Sequence, residues 1–412
     1  MCGMENGQWI QRHLSELAES TKIDGKIWRA SYTEEDGIGH RMFRRWIEEA
    51  GLEWREDVLG NIYGRLPGRR SGTILLGSHI DTVRDGGRYD GAAGVMTALA
   101  VLRGLKAAGY EPEYNLEIVG LVEEEGSRFA SSCQGSCAIC GTLREEDLLE
   151  KDSDGVTFLE AANRAGYHPE RMEEARRKDV LVYLELHIEQ GPLLEQQKKQ
   201  IGVVENIVGI ATYDITITGE QNHAGTTVMA LRRDPVVAAA RLIDQVTDEV
   251  MENSPGGTAT FGRVDTDPGM LNVIAGRVHL LLDMRDKEEE RLRMREAQLF
   301  RRLEALREQG FGAEAVRTQW TPPVAMDPTL VKDIHAAAEA EGLSYLHMNS
   351  GAGHDAMVFG KLLPTAMIFI PSQKGISHNP MENTSTEDLE AGFRVLRRVA
   401  MLLSAHEYCL KG

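Results

Sequence analysis

The run Gly77-Ser78-His79-Ile80-Asp81-Thr82-Val83 is followed, eleven residues after its histidine, by Asp90-Gly91. An imidazole and a carboxylate brought together from neighbouring elements are ligand types for a divalent metal ion, with a hydrogen-bonded His-x-Asp loop as the competing reading. Three acids, Glu123-Glu124-Glu125, follow another apolar run. Packing them together is costly unless a cation offsets the repulsion, although a solvated acidic turn explains that run taken alone. His187 closes the apolar run 181–187, and His378 lies in Gly375-Ile376-Ser377-His378-Asn379-Pro380, just after the apolar run 364–370. Each histidine alone is more simply a structural residue. The force lies in the coincidence of His79, Asp90, Glu125, His187 and His378 at or after the ends of predicted strands. Mixed imidazole and carboxylate donors suit zinc, with manganese, cobalt or nickel as substitutes. Five such ligands with one shared carboxylate would hold two ions about 3.5–4 Å apart, with room for a water between them.

The elements that must position these residues alternate strand-like and helix-like patterns. Helices are expected over 8–20, 38–50 and 92–108, and strands over 56–65, 74–79, 115–122 and 181–187. The charged stretch 143–178 reads as short helices and loops. Asp90 then sits in the turn before a helix, beyond the carboxyl end of a strand, where open α/β sheets carry their chemistry. From about residue 210 the texture changes to alternating strands (212–219, 257–265, 273–284) with two helices (234–251 and 286–309). After Thr321-Pro322-Pro323 the α/β texture resumes, with helices 328–341, 353–360 and 386–405 and strands 344–348 and 364–370. The expected fold is α/β, a mostly parallel sheet flanked by helices, with a smaller inserted α+β domain. The domain expectation is 1–209 with 325–412 for the first and 210–324 for the insert. The charge run Arg285–Arg295 reads as a solvated helix face, with subunit contact as its minor alternative.

At 412 residues two domains are the default, and 42% hydrophobic with 27% charged residues is ordinary for a globular chain. A net charge of −18 argues against a broad grip on nucleic acid or anionic lipid. Met1–Ile10 lacks a basic start and an apolar core, and no run approaches the ~18 apolar residues of a membrane helix, so a cytoplasmic protein is expected. Five cysteines make no disulfide framework. Cys133, Cys137 and Cys140 lack a fourth clustered ligand and are expected as buried free thiols rather than a structural metal site.

The chain resembles the M20 metallopeptidase superfamily, and within it the branch of allantoate amidohydrolases and N-carbamoyl-L-amino-acid hydrolases. The resemblance spans essentially the whole chain. It rests on Gly77–Val83, Asp90–Gly91, Glu123–Phe129, His187–Pro192, Asn222-His223-Ala224-Gly225-Thr226-Thr227, Asn272-Val273-Ile274, Asp283-Met284-Arg285, Ser350–Ala356 and Gly375–Pro380. His187 in His-Ile-Glu-Gln-Gly discriminates, because peptidase relatives usually carry an acid there. The resemblance implies a di-zinc exopeptidase-like catalytic domain with a lid and dimerisation insert. In it His79, Asp90 and His187 hold one ion and Asp90, Glu125 and His378 the other. It implies Asp81 behind the His79 ring. Glu124 is implied as general base, taking a proton from the attacking water and delivering one to departing ammonia.

By the same resemblance His223 reaches the partner subunit's site in a homodimer and stabilises the developing oxyanion. Asn272 and Arg285 bind the substrate, and Arg285 anchors its carboxylate, which a guanidinium fork grips with two parallel hydrogen bonds. For Arg285 taken alone, an ion pair with Asp283 or Asp286 is the competing reading. Gln190 and the backbone of Gly351, Ala352 and Gly353 line the ureido end. His354 is open between substrate contact and loop support. Val228 and Ala275 stand where the family commonly has proline, which removes backbone pre-organisation. The expected activity is hydrolysis of a linear ureide bearing a carboxylate, releasing ammonia and carbon dioxide. Ile368–Ser372 and Gly375–Pro380 lie nearer the allantoate enzymes. The alternatives are a metallopeptidase of aminoacylase or dipeptidase type and a catalytically silent binding protein.

Overall fold

Runs that are largely apolar without a polar alternation demand burial on both faces, and they form the centre of the molecule's largest sheet. Thr365–Ile370, Val180–Ile188, Arg70–His79 and Tyr114–Leu121 lie side by side in that order and are all parallel. The computed structural model describes residues 5–405. Antiparallel strands extend this centre on both sides, Ile62–Leu66 and Glu53–Glu56 on one flank and Ile201–Ile207 on the other. Tyr345–Ser350 and the short Val324–Ala325 pair with Ile201–Ile207 and bring the sheet to nine strands. The chain divides into two units, Met1–Glu205 with Ala325–Gly412, and Asn206–Val324.

Helix Ala92–Ala107 is buried all round from Ala92 to Leu102, as the small and apolar residues that dominate that stretch require. Its start fits against the sheet because Gly94 has no side chain. A Cβ there would stand 2.1 Å from the Leu186 carbonyl oxygen. The predicted 56–65 arm is a hairpin, Glu53–Glu56 with Ile62–Leu66. Its turn is closed by Asp57, whose Oδ1 accepts the N–H groups of Leu59, Gly60 and Asn61.

The second unit is a four-stranded antiparallel sheet, ordered Thr258–Asp267, Arg277–Asp286, Gly209–Thr218, Gly312–Thr321. Helices Pro235–Asn253 and Glu289–Glu308 contribute Leu242, Val246, Leu292, Leu299 and Leu303 to its core.

Several expectations need correction. Strands Ile201–Ile207 and Gly312–Thr321 were not foreseen. The latter is an edge strand with most side chains exposed, so it has no apolar alternation to betray it. The predicted 273–284 strand is interrupted, with Val273–Ile274 pairing to Asn222–His223 and Arg277–Asp286 entering the sheet. The charged run is not wholly solvated, since Arg295 is buried and its Nη2 donates to the buried Asp286 Oδ2 at 2.7 Å. Cys133, Cys137 and Cys140 are free but half-buried. Cys2 and Cys409 lie outside the described residues.

Candidate metal centre

Residues that end or follow all four parallel strands meet at Asp90. His79 ends the first strand and is buried, and Asp90 follows in the turn before helix Ala92–Ala107. Gly91, with φ 59°, makes that turn possible, since a Cβ there would lie 2.4 Å from the His79 ring. His187 Nε2 is 3.0 Å from Asp90 Oδ1, and His79 Nε2 is 3.9 Å from the same oxygen. On the other side His378 Nε2 is 3.1 Å from Asp90 Oδ2 and 3.4 Å from Glu125 Oε2. Two donor groups result, His79–Asp90–His187 and Asp90–Glu125–His378, with Asp90 in both. Glu124 is buried beside them, its Oε2 3.6 Å from His79 Nε2.

Asp81 ties the strand ends together. Its two oxygens accept the Glu124 and Glu125 N–H groups at 3.2 and 3.1 Å, and its Oδ1 lies 3.4 Å from His79 Nδ1. Glu382, which the sequence reading missed, does the same for Asp90. It is buried, its Oε1 accepts the N–H groups of Tyr89 and Asp90, and its Oε2 accepts the Ser377 hydroxyl at 2.8 Å. Ser377 Oγ also lies 3.1 Å from Asp90 Oδ2, so one acid links the shared carboxylate to the His378 loop. Glu123, Gln190 and His378 all adopt left-handed backbone at φ 52–57°. Such strain in non-glycine residues collects at functional sites.

The donor chemistry asks for cations. His187 Nδ1 faces the Ile188 carbonyl at 2.8 Å, an acceptor, so Nδ1 carries the proton and Nε2 presents its lone pair toward Asp90. His79 Nδ1 likewise faces the Asp81 carbonyl at 3.1 Å, which leaves its Nε2 lone pair toward Asp90 and Glu124. A lone pair opposite a carboxylate is repulsive until a positive charge lies between them. Glu125 Oε1 is buried without a hydrogen-bond partner. Burial, then the Asp90 charge, pushes the Glu125 carboxyl up to about 7. Burial drives Glu124 well above the usual carboxylate range, with His79 opposing and Glu125 and Asp355 adding to the rise. Burial would push Asp90 the same way, but without a metal ion protonation of His187 and His378 supplies that positive charge and holds the Asp90 carboxyl well below that range. Two divalent cations fit this set of donors.

Residues 75–402 match the model of peptidase family M20/M25/M40. The chain belongs to this family. It is 37% identical over 408 residues to the N-carbamoyl-L-amino-acid amidohydrolase of Paenarthrobacter aurescens, covering 96% of this chain and 97% of that protein. To the allantoate amidohydrolase of Bacillus subtilis it is 38% identical over 393 residues, 94% of each chain. A crystal structure of a hydantoinase/carbamoylase family amidase from Burkholderia multivorans superimposes with a TM-score of 0.92 at 36% identity, covering 97% of this chain and 98% of that one.

Around the centre of this M20/M25/M40 member, Gln190 Nε2 donates to Asp90 Oδ2 at 2.9 Å while its Oε1 has no partner. The Gly351–Gly353 turn is held by Ser350, whose hydroxyl donates to the Ala352 carbonyl and whose Oγ accepts the Ala352 N–H. His354 supports this loop. It is buried, its Nε2 lies 2.9 Å from Ser350 Oγ, and its ring packs edge-on against His187 at 4.4 Å. Burial, reinforced by His187, keeps it neutral.

In the second unit, His223 and Asn272 come together through the ribbon pairing Asn222–His223 with Val273–Ile274, where the Ala224 N–H donates to the Asn272 carbonyl. His223 Nδ1 accepts the Gly225 and Thr226 N–H groups and its side chain is exposed. Arg285 forms a two-pronged ion pair with Asp283, at 3.0 and 2.8 Å. Val228 is exposed and Ala275 buried.

Proposed function

We propose that the chain is a two-metal amidohydrolase cleaving a non-peptide carbon–nitrogen bond of a linear ureide that carries a carboxylate. The observation that carries this reading is Asp90 shared between two donor groups, with the buried Glu124 beside them. The relatives that act on allantoate and on N-carbamoyl-L-amino acids support the substrate class. Zn²⁺ is the proposed ion at both positions, with Mn²⁺, Co²⁺ or Ni²⁺ as substitutes. Bound there by His79, Asp90 and His187 and by Asp90, Glu125 and His378, the ions supply Lewis acidity toward water and the carbamoyl oxygen.

Glu124 takes the proton of the attacking water as the oxygen–carbon bond forms. It returns that proton to the departing nitrogen as the carbon–nitrogen bond breaks, giving ammonia and a carbamate that decomposes to carbon dioxide and an amine. A carboxylate pushed upward by burial is suited to both steps. Asp81 keeps the backbone of Glu124 and Glu125 in register during the exchange. Oxyanion stabilisation is assigned to His223, substrate binding to Asn272, carboxylate recognition to Arg285, and contact with the ureido group to Gln190 and the Gly351–Gly353 backbone. A homodimer in the cytoplasm completes the proposal. Among the described residues no helix is long and apolar enough to cross a membrane.

The test is ammonia release from the metal-reconstituted protein. The panel holds allantoate, N-carbamoyl-L- and D-amino acids, N-carbamoyl-β-alanine and a dipeptide. Release from allantoate or an N-carbamoyl-L-amino acid is expected. Dipeptide cleavage frees no ammonia and is followed by the amino acids it yields; such cleavage with no ureide hydrolysed would overturn the reading in favour of a peptidase.

A further inference from the structure

Outside the Asp90 centre, helix Pro328–Ala340 and strands Tyr345–Ser350 and Ile201–Ile207 assemble a second constellation of imidazoles. His335 Nδ1 and His347 Nε2 stand 2.9 Å apart. The far nitrogen of each ring is backed by an acid. His347 Nδ1 is 3.0 Å from Glu205 Oε1. His335 Nε2 is 3.4 Å from Glu339 Oε1 and 3.0 Å from the Tyr345 hydroxyl, which itself lies 3.0 Å from Glu339 Oε1.

Glu205 accepts, so the His347 proton belongs on Nδ1 and its Nε2 lone pair faces His335. In the absence of metal the His335 Nδ1–H fills the gap and Nε2 accepts from Tyr345. His335 can instead carry its proton on Nε2, donating to the Tyr345 oxygen or to Glu339, while Tyr345 donates to Glu339. Two lone pairs then converge, each on a ring whose opposite N–H is held by an acid or a hydroxyl. That is how metal-ligating histidines are oriented and made more basic. The tautomer shift moves one proton within His335 and releases none.

We propose that His335 and His347 form a third, surface site for a divalent transition ion, with water completing its coordination. A tetrahedral ion with nitrogens at 2.0–2.1 Å needs them about 3.3–3.4 Å apart. The rings must therefore open by a few tenths of an ångström. Both side chains are about one-third exposed, at 34% and 35%, which permits that movement and admits water. Two imidazoles select Ni²⁺, Cu²⁺, Co²⁺ or Zn²⁺ over Mg²⁺ and Ca²⁺. With two protein ligands the site binds more weakly than the Asp90 centre. It clips helix Pro328–Ala340 to the strand that follows it, Tyr345–Ser350.

The experiment titrates untagged, metal-stripped protein with Ni²⁺ by calorimetry and elemental analysis. The native chain is expected to take two tight equivalents and a third, weaker one. His347→Gln should lose only the third, Asp90→Asn should lose tight equivalents and keep the third, and Glu205→Gln should weaken the third about tenfold. Mg²⁺ should leave it empty. A third equivalent that survives in His347→Gln with unchanged affinity, or is absent from the native chain, overturns the proposal. Failure of the two tight equivalents would instead count against the Asp90 centre, so the two readings fail separately.

Discussion

At their amino ends the parallel strands Arg70–His79 and Val180–Ile188 begin among ion pairs. Asp179 receives two prongs from Arg177 at 2.8 and 2.6 Å and the Thr73 hydroxyl at 2.8 Å, and Arg177 also meets Glu117 at 2.8 Å. The Arg177 hydrogen bonds hold the Asp179 carboxyl below the usual range. At the carboxyl ends of the same strands the acids are crowded and the ion-pair partners of Asp90, Glu124 and Glu125, among the described residues, are histidines alone. There burial pushes Glu123 up to about 8 and Glu125 to about 7. One end is balanced by arginine within the chain. The other keeps its acids short of positive charge, which is the condition for taking up cations from solution.

The sharpest way to break this comparison is Glu124→Gln. The amide keeps the shape of the side chain and both donor groups but cannot take a proton. Turnover in ammonia release should fall about 10²–10⁴-fold with two metal equivalents retained. Near-normal turnover would remove Glu124 from the chemistry. Asp81→Asn tests the support beneath the ligands. Its carboxylate accepts two backbone N–H groups and lies beside His79, so metal affinity should drop by about 10–100-fold. Equilibrium dialysis against Zn²⁺ measures it, and unchanged affinity would show that the strand ends hold themselves.

The parts of this site legible in the sequence were those carried by local pattern. Apolar runs buried on both faces marked the strands of the parallel centre, and His79, Asp90, Glu125, His187 and His378 stood at or after their ends. Glu382 left no such mark. It sits four residues after His378, but the N–H groups it accepts belong to Tyr89 and Asp90, about 290 residues earlier in the chain. A side chain acting on distant backbone has no spacing to read. His335 and His347 are twelve residues apart, on a helix and the strand after it, and no helical or strand period links them, because their pairing depends on how the two elements pack. Gly312–Thr321 escaped for the opposite reason, because an exposed edge needs no apolar alternation. Arg285 showed why its type could not decide its partner, since the nearby Asp283 takes the same fork that a substrate carboxylate would use.

The smallest effect belongs to the arginine-balanced end. Asp179→Asn removes the charge that Arg177 grips and leaves the strand ends at Asp90 untouched. A carboxylate whose folded-state value is depressed contributes stability above its unfolded value of about 3.9. That contribution is lost as pH falls through the folded value. The native chain should therefore exceed the variant in urea midpoint at pH 7, and the gap should close as the pH drops below about 4. Asp179 is 46% exposed, so solvent screening holds the difference to less than about 1 kcal/mol. Metal content and turnover should be unchanged at pH 7. A variant that kept its stability but lost activity or metal would show that the two ends of the sheet are coupled, and the division between a structural end and a chemical one would fail.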